Sequence, residues 1–192
     1  MKRIAIFVSG NGTNLQRIAE YFSDSKNVEI SLVVCNNPKA YAIERAHQLG
    51  IPVRLITKKD INDTPFTQDL TGMHIDLIVL AGFLWLLPKC LIQAFPDKII
   101  NIHPALLPKY GGKGFYGEHV HEAVVAAKET FSGITIHYVN EKYDNGAIIF
   151  QAKVALDEKE TPDSLAGKIH RLEQQHFPVI IEQVLRQQDT NR

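Results

Sequence analysis

Residues 3–16, RIAIFVSGNGTNLQ, give the clearest indication of the fold in this sequence. Residues 3–8 are almost entirely apolar, so both faces of the strand that they predict would be buried inside a sheet. Residues 9–14 then form a glycine-containing turn, and residues 15–22 place apolar side chains at helical spacing. A strand, a glycine turn and a helix in direct succession are typical of the first unit of a parallel α/β sheet.

The rest of the chain continues this alternation of strands and helices. Further strands are predicted at residues 30–34, 53–56, 75–80, 99–101, 133–139 and 147–154, and helices at residues 41–49 and 118–128. The last two strands are joined by NEKYDNG, which is too short for a crossover helix, so we expect them to be antiparallel. We therefore predict a doubly wound, Rossmann-like, mostly parallel sheet with helices on both faces and antiparallel strands in the C-terminal part.

A final helix is predicted to begin after Thr161. This threonine is suited to the N-cap, a proline follows at the first helical position, and a carboxylate lies in the first turn. The pattern leaves two ends open for this helix, one at about residue 171 and one past Pro178 at residue 186.

Composition narrows the class of protein. The chain has 192 residues and no internal repeat, which indicates one domain. Lys plus Arg equals Asp plus Glu at 21 each, so a nucleic-acid partner held by phosphate contacts is not expected. Cys35 and Cys90 form neither a disulfide framework nor a CxxC metal motif. No signal peptide or membrane span is recognised, so we expect a cytoplasmic protein without a membrane partner.

The glycine turn has the features of an anion site. Gly10 and Gly12 permit a tight turn at the start of a helix, where backbone N–H groups favour a phosphate. Thr13 and Asn14 are placed either to cap the helix or to donate to phosphate oxygens. Leu15 stands where a dinucleotide fingerprint has its third glycine, which disfavours a nicotinamide-dependent reductase. A phosphate monoester site and a plain capped turn both remain open.

A second motif, NIHPALLPKYGG, follows the strand that begins at residue 99. Asn101 and His103 are two residues apart, so both side chains point to the same side of the strand. Pro104 ends the strand because proline has no N–H to donate. At the carboxyl end of a parallel strand this placement suits a catalytic pair, although a capping Asn and a surface His would give the same pattern.

Asp144, in NEKYDNG, is the candidate carboxylate partner of that histidine. A carboxylate beside His103 would orient the ring and raise its pKa. An Asp followed by Asn-Gly is also a common turn former, so the motif by itself leaves both interpretations open.

Four segments together resemble the folate-dependent formyltransferases. They are VSGNGTNLQ at residues 8–16, LAGF at residues 80–83, NIHPALLPKY at residues 101–110 and DNGAIIFQAKV at residues 144–154. The glycine loop narrows the resemblance to the branch that acts on glycinamide ribonucleotide. The resemblance implies transfer of a formyl group from 10-formyltetrahydrofolate, as co-substrate, to the amine of that ribonucleotide in purine synthesis.

The resemblance also implies roles for particular residues. Asn101 and His103 would stabilise an oxyanion with the help of Asp144, and His137 would support the site from behind. The phosphate would bind Gly12, Thr13, Asn14 and His170, and Glu173 would bind the ribose. The folate would contact Phe83, Leu84, Trp85, Leu86, Leu87, Val139, Asn140 and Asp144. Core packing, a satisfied strand histidine and a solvated helix face are the corresponding structural alternatives.

Several expectations about organisation follow from the resemblance. We expect a single formyltransferase domain over residues 1–192, with a nucleotide and phosphate half at residues 1–100 and a folate-binding and catalytic half at residues 101–192. The Leu107–Pro108 bond is a candidate cis peptide. His119 and His121 have no acidic or Cys partner at ligand spacing, so no metal is expected.

The resemblance leaves rival functions to exclude. Methionyl-tRNA formyltransferase adds a C-terminal domain and formyltetrahydrofolate hydrolase an N-terminal one, and we expect neither here. A non-catalytic folate or nucleotide sensor would have lost Asn101, His103 or Asp144, and all three are present. We expect only small-molecule partners, with the chain a monomer or a homodimer.

Overall fold

A seven-stranded sheet forms the centre of the protein, which the computed structural model describes over residues 1–190. The strands are β1 (Lys2–Val8), β2 (Val28–Cys35), β3 (Val53–Leu55), β4 (Leu77–Leu80), β5 (Ile99–His103), β6 (Phe131–Tyr138) and β7 (Ile148–Ala155). Their order is β3-β2-β1-β4-β5-β6-β7. Strands β1 to β5 are parallel, whereas β6 is antiparallel to both β5 and β7. The predicted fold class is therefore confirmed.

Helices cover both faces of the sheet. They are α1 (Thr13–Phe22), α2 (Tyr41–Gln48), α3 (Lys58–Asn62), α4 (Thr64–Gly72), α5 (Lys89–Ala94), α6 (Glu118–Ala126) and α7 (Pro162–Thr190). Alternate side chains of β1 point to opposite faces. Ile4 and Ile6 lie in the apolar cluster that includes α1, α2, α6 and α7, whereas Ala5 and Phe7 lie in the cluster that includes α3, α4 and α5.

Three helices were not predicted from the sequence, and one runs further than its pattern required. Helices α3 and α5 have five and six residues, too few for a clear helical period, and the only buried apolar residues of the nine-residue α4 are Phe66 and Leu70. Helix α7 passes through Pro178 without ending. Pro178 cannot donate to the Gln174 carbonyl, four residues before it, and the Arg17 Nε–H donates to that carbonyl at 3.2 Å instead. None of the helices in residues 1–190 is long and apolar enough to cross a membrane.

The strand order reverses between β1 and β4, and hydrogen bonds join the loops that follow these two strands. The Ser9 N–H donates to the Gly82 carbonyl at 3.1 Å, and the Leu84 N–H donates to Ser9 Oγ at 3.0 Å. In open α/β sheets, ligands bind beyond the carboxyl ends of the strands at such a reversal. The fold therefore places its ligand crevice beside residues 9–14 and 81–87.

Hydrogen bonds to β6 and β7 fix the loop after β5. Strand β5 ends at His103, two residues later than predicted, because His103 still pairs with Thr135 of β6. The Leu107 N–H donates to Thr135 Oγ1 at 3.0 Å, and Gln151 Nε2 donates to the Leu107 carbonyl at 3.0 Å. The predicted cis bond between Leu107 and Pro108 is present.

Candidate active site

A cavity of about 340 Å³ opens at the carboxyl ends of β4 and β5. It is lined by all the candidate catalytic and folate-binding residues: Phe83, Leu84, Trp85, Leu86, Leu87, Asn101, His103, Val139, Asn140 and Asp144. His137 and the glycine-rich segment at residues 112–117 line it as well. Residues from both halves of the chain line the cavity, because β4 lies in residues 1–100 and β5 ends in residues 101–192.

Asp144 is at the centre of the polar end of this cavity. Its backbone has a φ of 50°, and the Gly112 N–H donates to its Oδ2 at 2.9 Å. The other oxygen, Oδ1, lies 3.6 Å from His103 Nδ1, 3.6 Å from His137 Nε2 and 3.4 Å from Asn101 Nδ2. One carboxylate oxygen therefore lies within 3.6 Å of three polar side chains, of which Asn101 donates to it.

His103 is buried, only 3% exposed, so it is not the surface histidine that its motif also allowed. Its Nε2 lies 2.7 Å from the Tyr110 carbonyl, which can only accept, so Nε2 carries the hydrogen. In the neutral ring, Nδ1 then has the free lone pair and faces Asp144. The tautomer of His103 is fixed by a backbone group.

The protonation of His103 differs from the sequence expectation. Burial lowers the pKa of His103, while the Asp144 carboxylate and the Tyr110 carbonyl act to raise it. Asp144 therefore acts in the predicted direction, but desolvation outweighs it, and the expectation of a raised His103 pKa is wrong for the ligand-free protein.

Asp144 itself is held in its charged form. Burial disfavours the carboxylate, but the His137 and His103 rings, which favour it when the nitrogen facing Asp144 carries a proton, and the Gly112 N–H outweigh burial, and the pKa of Asp144 lies below its ordinary value. A fixed negative charge therefore faces Nδ1 of His103.

Asn101 is oriented by His137. The His137 ring donates from Nδ1 to the Tyr138 carbonyl at 2.8 Å, which leaves Nε2 as an acceptor in the neutral ring. Asn101 Nδ2 lies 3.1 Å from that Nε2 and so donates to it. His137 is thus both a satisfied strand histidine and the group that positions the Asn101 amide.

The glycine loop lies at the start of α1, where Gly12 has a φ of 80°. A Cβ at Gly12 would lie 2.7 Å from Ala42 Cβ, so the close approach of α2 requires glycine here. No side chain caps the helix, which leaves its first-turn N–H groups available to a ligand. Arg45 of α2 fixes the loop by donating from Nε to the Asn11 carbonyl at 2.9 Å.

The candidate ribose and phosphate residues of α7 meet the start of α1. Asn14 Nδ2 donates to Glu173 Oε2 at 3.0 Å, and His170 Nδ1 donates to the same oxygen at 2.9 Å. Glu173 is 6% exposed, so it does not lie on a solvated helix face. The hydrogen bond with Glu173 raises the pKa of His170, and the Glu173 charge also acts on His103. The start of α1, with His170 and Glu173 beside it, is therefore close enough to His103 for the Glu173 charge to affect it.

Some groups in the site had no signal in the sequence. Tyr110 and Gly112 act through their backbone carbonyl and N–H, which leave no side-chain pattern. His119 pairs with Glu122 at 3.3 Å, and no three His, Cys, Asp or Glu side chains within residues 1–190 are grouped to hold a metal.

Comparison with known proteins relates this site to one family. The formyl transferase family model matches residues 2–181. Phosphoribosylglycinamide formyltransferase of Bacillus subtilis is 37% identical over 191 residues, 96% of this chain and 95% of the relative. The crystal structure of phosphoribosylglycinamide formyltransferase from Anaplasma phagocytophilum superposes with a TM-score of 0.87 at 33% identity, covering 97% of this chain and 88% of that one.

A plant relative is longer than this chain. The chloroplastic phosphoribosylglycinamide formyltransferase of Arabidopsis thaliana is 42% identical over 175 residues, which is 88% of this chain but 60% of the relative's length. The match of the family model over nearly the whole chain shows the family. The chain belongs to the formyl transferase family.

Proposed function

We propose that the protein transfers the formyl group of 10-formyltetrahydrofolate to the amine of glycinamide ribonucleotide, a step of de novo purine synthesis. The observation that carries the proposal is that Asp144 Oδ1 lies within 3.6 Å of Asn101, His103 and His137 at the polar end of an apolar cavity. Three proteins named phosphoribosylglycinamide formyltransferase match 88% to 97% of this chain, and the one compared as a crystal structure has the same fold.

The two ends of the site suit the two proposed substrates. A cavity of about 340 Å³ with apolar walls suits the folate ring, and Asn140 and Asp144 add polar atoms at its edge. The free N–H groups at the start of α1 suit the phosphate, with His170 beside them. Glu173, a buried carboxylate, suits the ribose hydroxyls as an acceptor.

The proposed reaction is direct attack of the amine on the formyl carbon. The new C–N bond forms, the bond from the formyl carbon to folate N10 breaks, and the proton lost by the amine balances the proton gained by N10. Negative charge develops on the formyl oxygen, and Asn101 donates a hydrogen bond to it from Nδ2 in place of its 3.4 Å hydrogen bond to Asp144 Oδ1. Asp144 holds the water that carries the proton away from the amine.

His103 is the second proposed hydrogen-bond donor to the oxyanion. Its Nε2–H remains on the Tyr110 carbonyl, so Nδ1 is the nitrogen that can act on the substrate. Burial keeps the free ring mostly neutral by lowering its pKa, and the oxyanion together with Asp144 would favour protonation at Nδ1. The Nδ1–H of the imidazolium then donates to the oxyanion.

An assay with both substrates tests the function. We expect loss of 10-formyltetrahydrofolate only when glycinamide ribonucleotide is present, and formylated ribonucleotide as the product. Loss of the folate without the ribonucleotide would indicate a hydrolase instead. Binding of both ligands without any turnover would indicate a sensor. Small molecules are the only partners proposed, and we propose a cytoplasmic location as for a bacterial enzyme.

Gly12→Asp should weaken ribonucleotide binding far more than folate binding. The new carboxylate would repel the phosphate at the start of α1, and we expect roughly a tenfold or larger rise in the ribonucleotide Kd. Calorimetric titration of each ligand separately measures the effect.

Gly12→Ala is the matched control for this prediction. Its Cβ meets Ala42 just as the aspartate's would, but it adds no charge. Equal losses in the two variants would mean that loop strain, and not repulsion of a phosphate, explains the weaker binding.

A further inference from the structure

One histidine beside the site has no role in the mechanism above. His121 lies on α6 and is 7% exposed. Its Nδ1 is buried and has no hydrogen-bond partner among the residues that the structure describes. A buried polar atom without a partner costs free energy, so the free protein is destabilised at this position.

The helix that carries His121 packs against the helix that carries the proposed ribonucleotide-binding residues. Helix α6 packs on α7, which carries His170 and Glu173. The charged and titratable groups that act on the ring are Glu173 and His170 of α7, Glu118 of its own helix and His103 of β5, and Glu173 has the largest effect among them. The charges that act on His121 therefore belong to both the Glu173 end and the His103 end of the site.

The protonation state of His121 indicates which ligand group it suits. Burial lowers the pKa of His121, with Glu173 acting in the opposite direction. A neutral imidazole has one donor and one acceptor, which matches a hydroxyl better than a phosphate. His170, whose pKa is raised, is the better partner for the phosphate charge.

We propose that His121 hydrogen-bonds through Nδ1 to a ribose hydroxyl of the ribonucleotide, next to the hydroxyl contact of Glu173. This inference rests on the proposed function, because it takes glycinamide ribonucleotide as the ligand. It makes His121 a substrate-binding residue for that ligand alone. Because Nδ1 is inaccessible to solvent in the free protein, the ring would turn toward the substrate on binding, and the unpartnered nitrogen would then gain its partner.

Two variants of similar size test the role of Nδ1. His121→Leu removes both ring nitrogens, whereas His121→Asn keeps a polar atom close to the position of Nδ1. We expect His121→Leu to raise the ribonucleotide Kd about tenfold, the effect of one hydrogen bond, and to leave the Kd of the folate unchanged. His121→Asn should recover part of the affinity for the ribonucleotide.

Stability separates this role from a structural one. We expect the Tm of ligand-free His121→Leu to equal or exceed that of the parent, because the unpartnered buried nitrogen is gone. Val124→Ala, a buried apolar change on the same helix, is the control and should lower the Tm without a selective loss of ribonucleotide binding. A fall in Tm for His121→Leu with equal losses of both ligands would overturn the proposal.

Analogues of the ribonucleotide identify the contact. In the parent, the 2′-deoxy or the 3′-deoxy analogue should bind more weakly than the ribonucleotide, and in His121→Leu one of these two losses should disappear. If both losses are the same in parent and variant, His121 does not contact a ribose hydroxyl. If the parent binds no glycinamide ribonucleotide, this inference and the proposed function are both wrong. Binding and turnover in the parent without the selective effect would overturn this inference alone.

Discussion

Asp144→Asn should reduce turnover by about a hundredfold or more, the range typical of a lost acid–base or oxyanion-stabilising group. The change removes the negative charge that faces Nδ1 of His103 but keeps the size of the side chain and an oxygen for the Gly112 N–H. Binding of both substrates should change much less, because neither is held mainly by this charge. Steady-state kinetics and separate titrations of the two ligands measure the two effects.

The same substitution should lower the pKa of His103 further. Asp144 is the strongest of the groups that raise this pKa against the effect of burial, so its loss leaves desolvation less opposed. Because the protonated ring is the proposed donor, activity in the variant should decline at a lower pH than in the parent. NMR titration of His103 in both proteins measures the shift.

Asp69→Asn is the control for these measurements. Asp69 forms an exposed ion pair with Arg54 at 2.9 Å, away from the cavity, so its loss should leave turnover and the His103 pKa unchanged. An unchanged His103 pKa in Asp144→Asn would mean that Asp144 is not the electrostatic partner of the ring and acts on water or on its loop alone.

His103→Gln should reduce turnover by about a hundredfold to ten-thousandfold. A glutamine can still donate to the Tyr110 carbonyl, as Nε2 of the histidine does, but it cannot be protonated to donate from the Nδ1 position. The change of turnover with pH that results from titration of His103 should be absent in this variant. His47→Gln, an exposed change on α2, should keep the turnover of the parent.

The double variant shows whether His103 and Asp144 act as one unit. In the His103→Gln background, Asp144→Asn should cost less than about tenfold in turnover, because most of its effect acts through the ring that is already lost. If the two losses multiply in the double variant, the residues act independently and the proposed pairing is wrong.

The sheet could be predicted from sequence because its signals are local. The apolar run of β1, the glycine turn and the amphipathic α1 lie within 22 residues, and the short NEKYDNG link by itself indicates that β6 and β7 are antiparallel. Helices α3 and α5 could not be predicted, because five or six residues do not complete two helical turns. Where α7 passes through Pro178, the Gln174 carbonyl accepts a hydrogen bond from Arg17, a residue from the other end of the chain.

The candidate site was predictable in its residue types but not in its electrostatics. Asn101, His103 and Asp144 could be recognised from their motifs, and the structure brings them together. The lowered pKa of His103 could not be predicted, because it results from burial, which depends on tertiary packing that the motif does not encode. The same holds for the Tyr110 carbonyl that fixes the tautomer, since any residue type supplies a carbonyl.

A ¹³C label on the formyl carbon shows whether the proposed transfer takes place. The parent protein would be mixed in excess with 10-formyltetrahydrofolate labelled with ¹³C at the formyl carbon, together with glycinamide ribonucleotide, and followed by NMR through a single turnover. We expect the label to move to the amine of the ribonucleotide as the folate is deformylated, and His103→Gln to slow this transfer. Appearance of the label as free formate, or a label that stays on the folate while both ligands are bound, would contradict it.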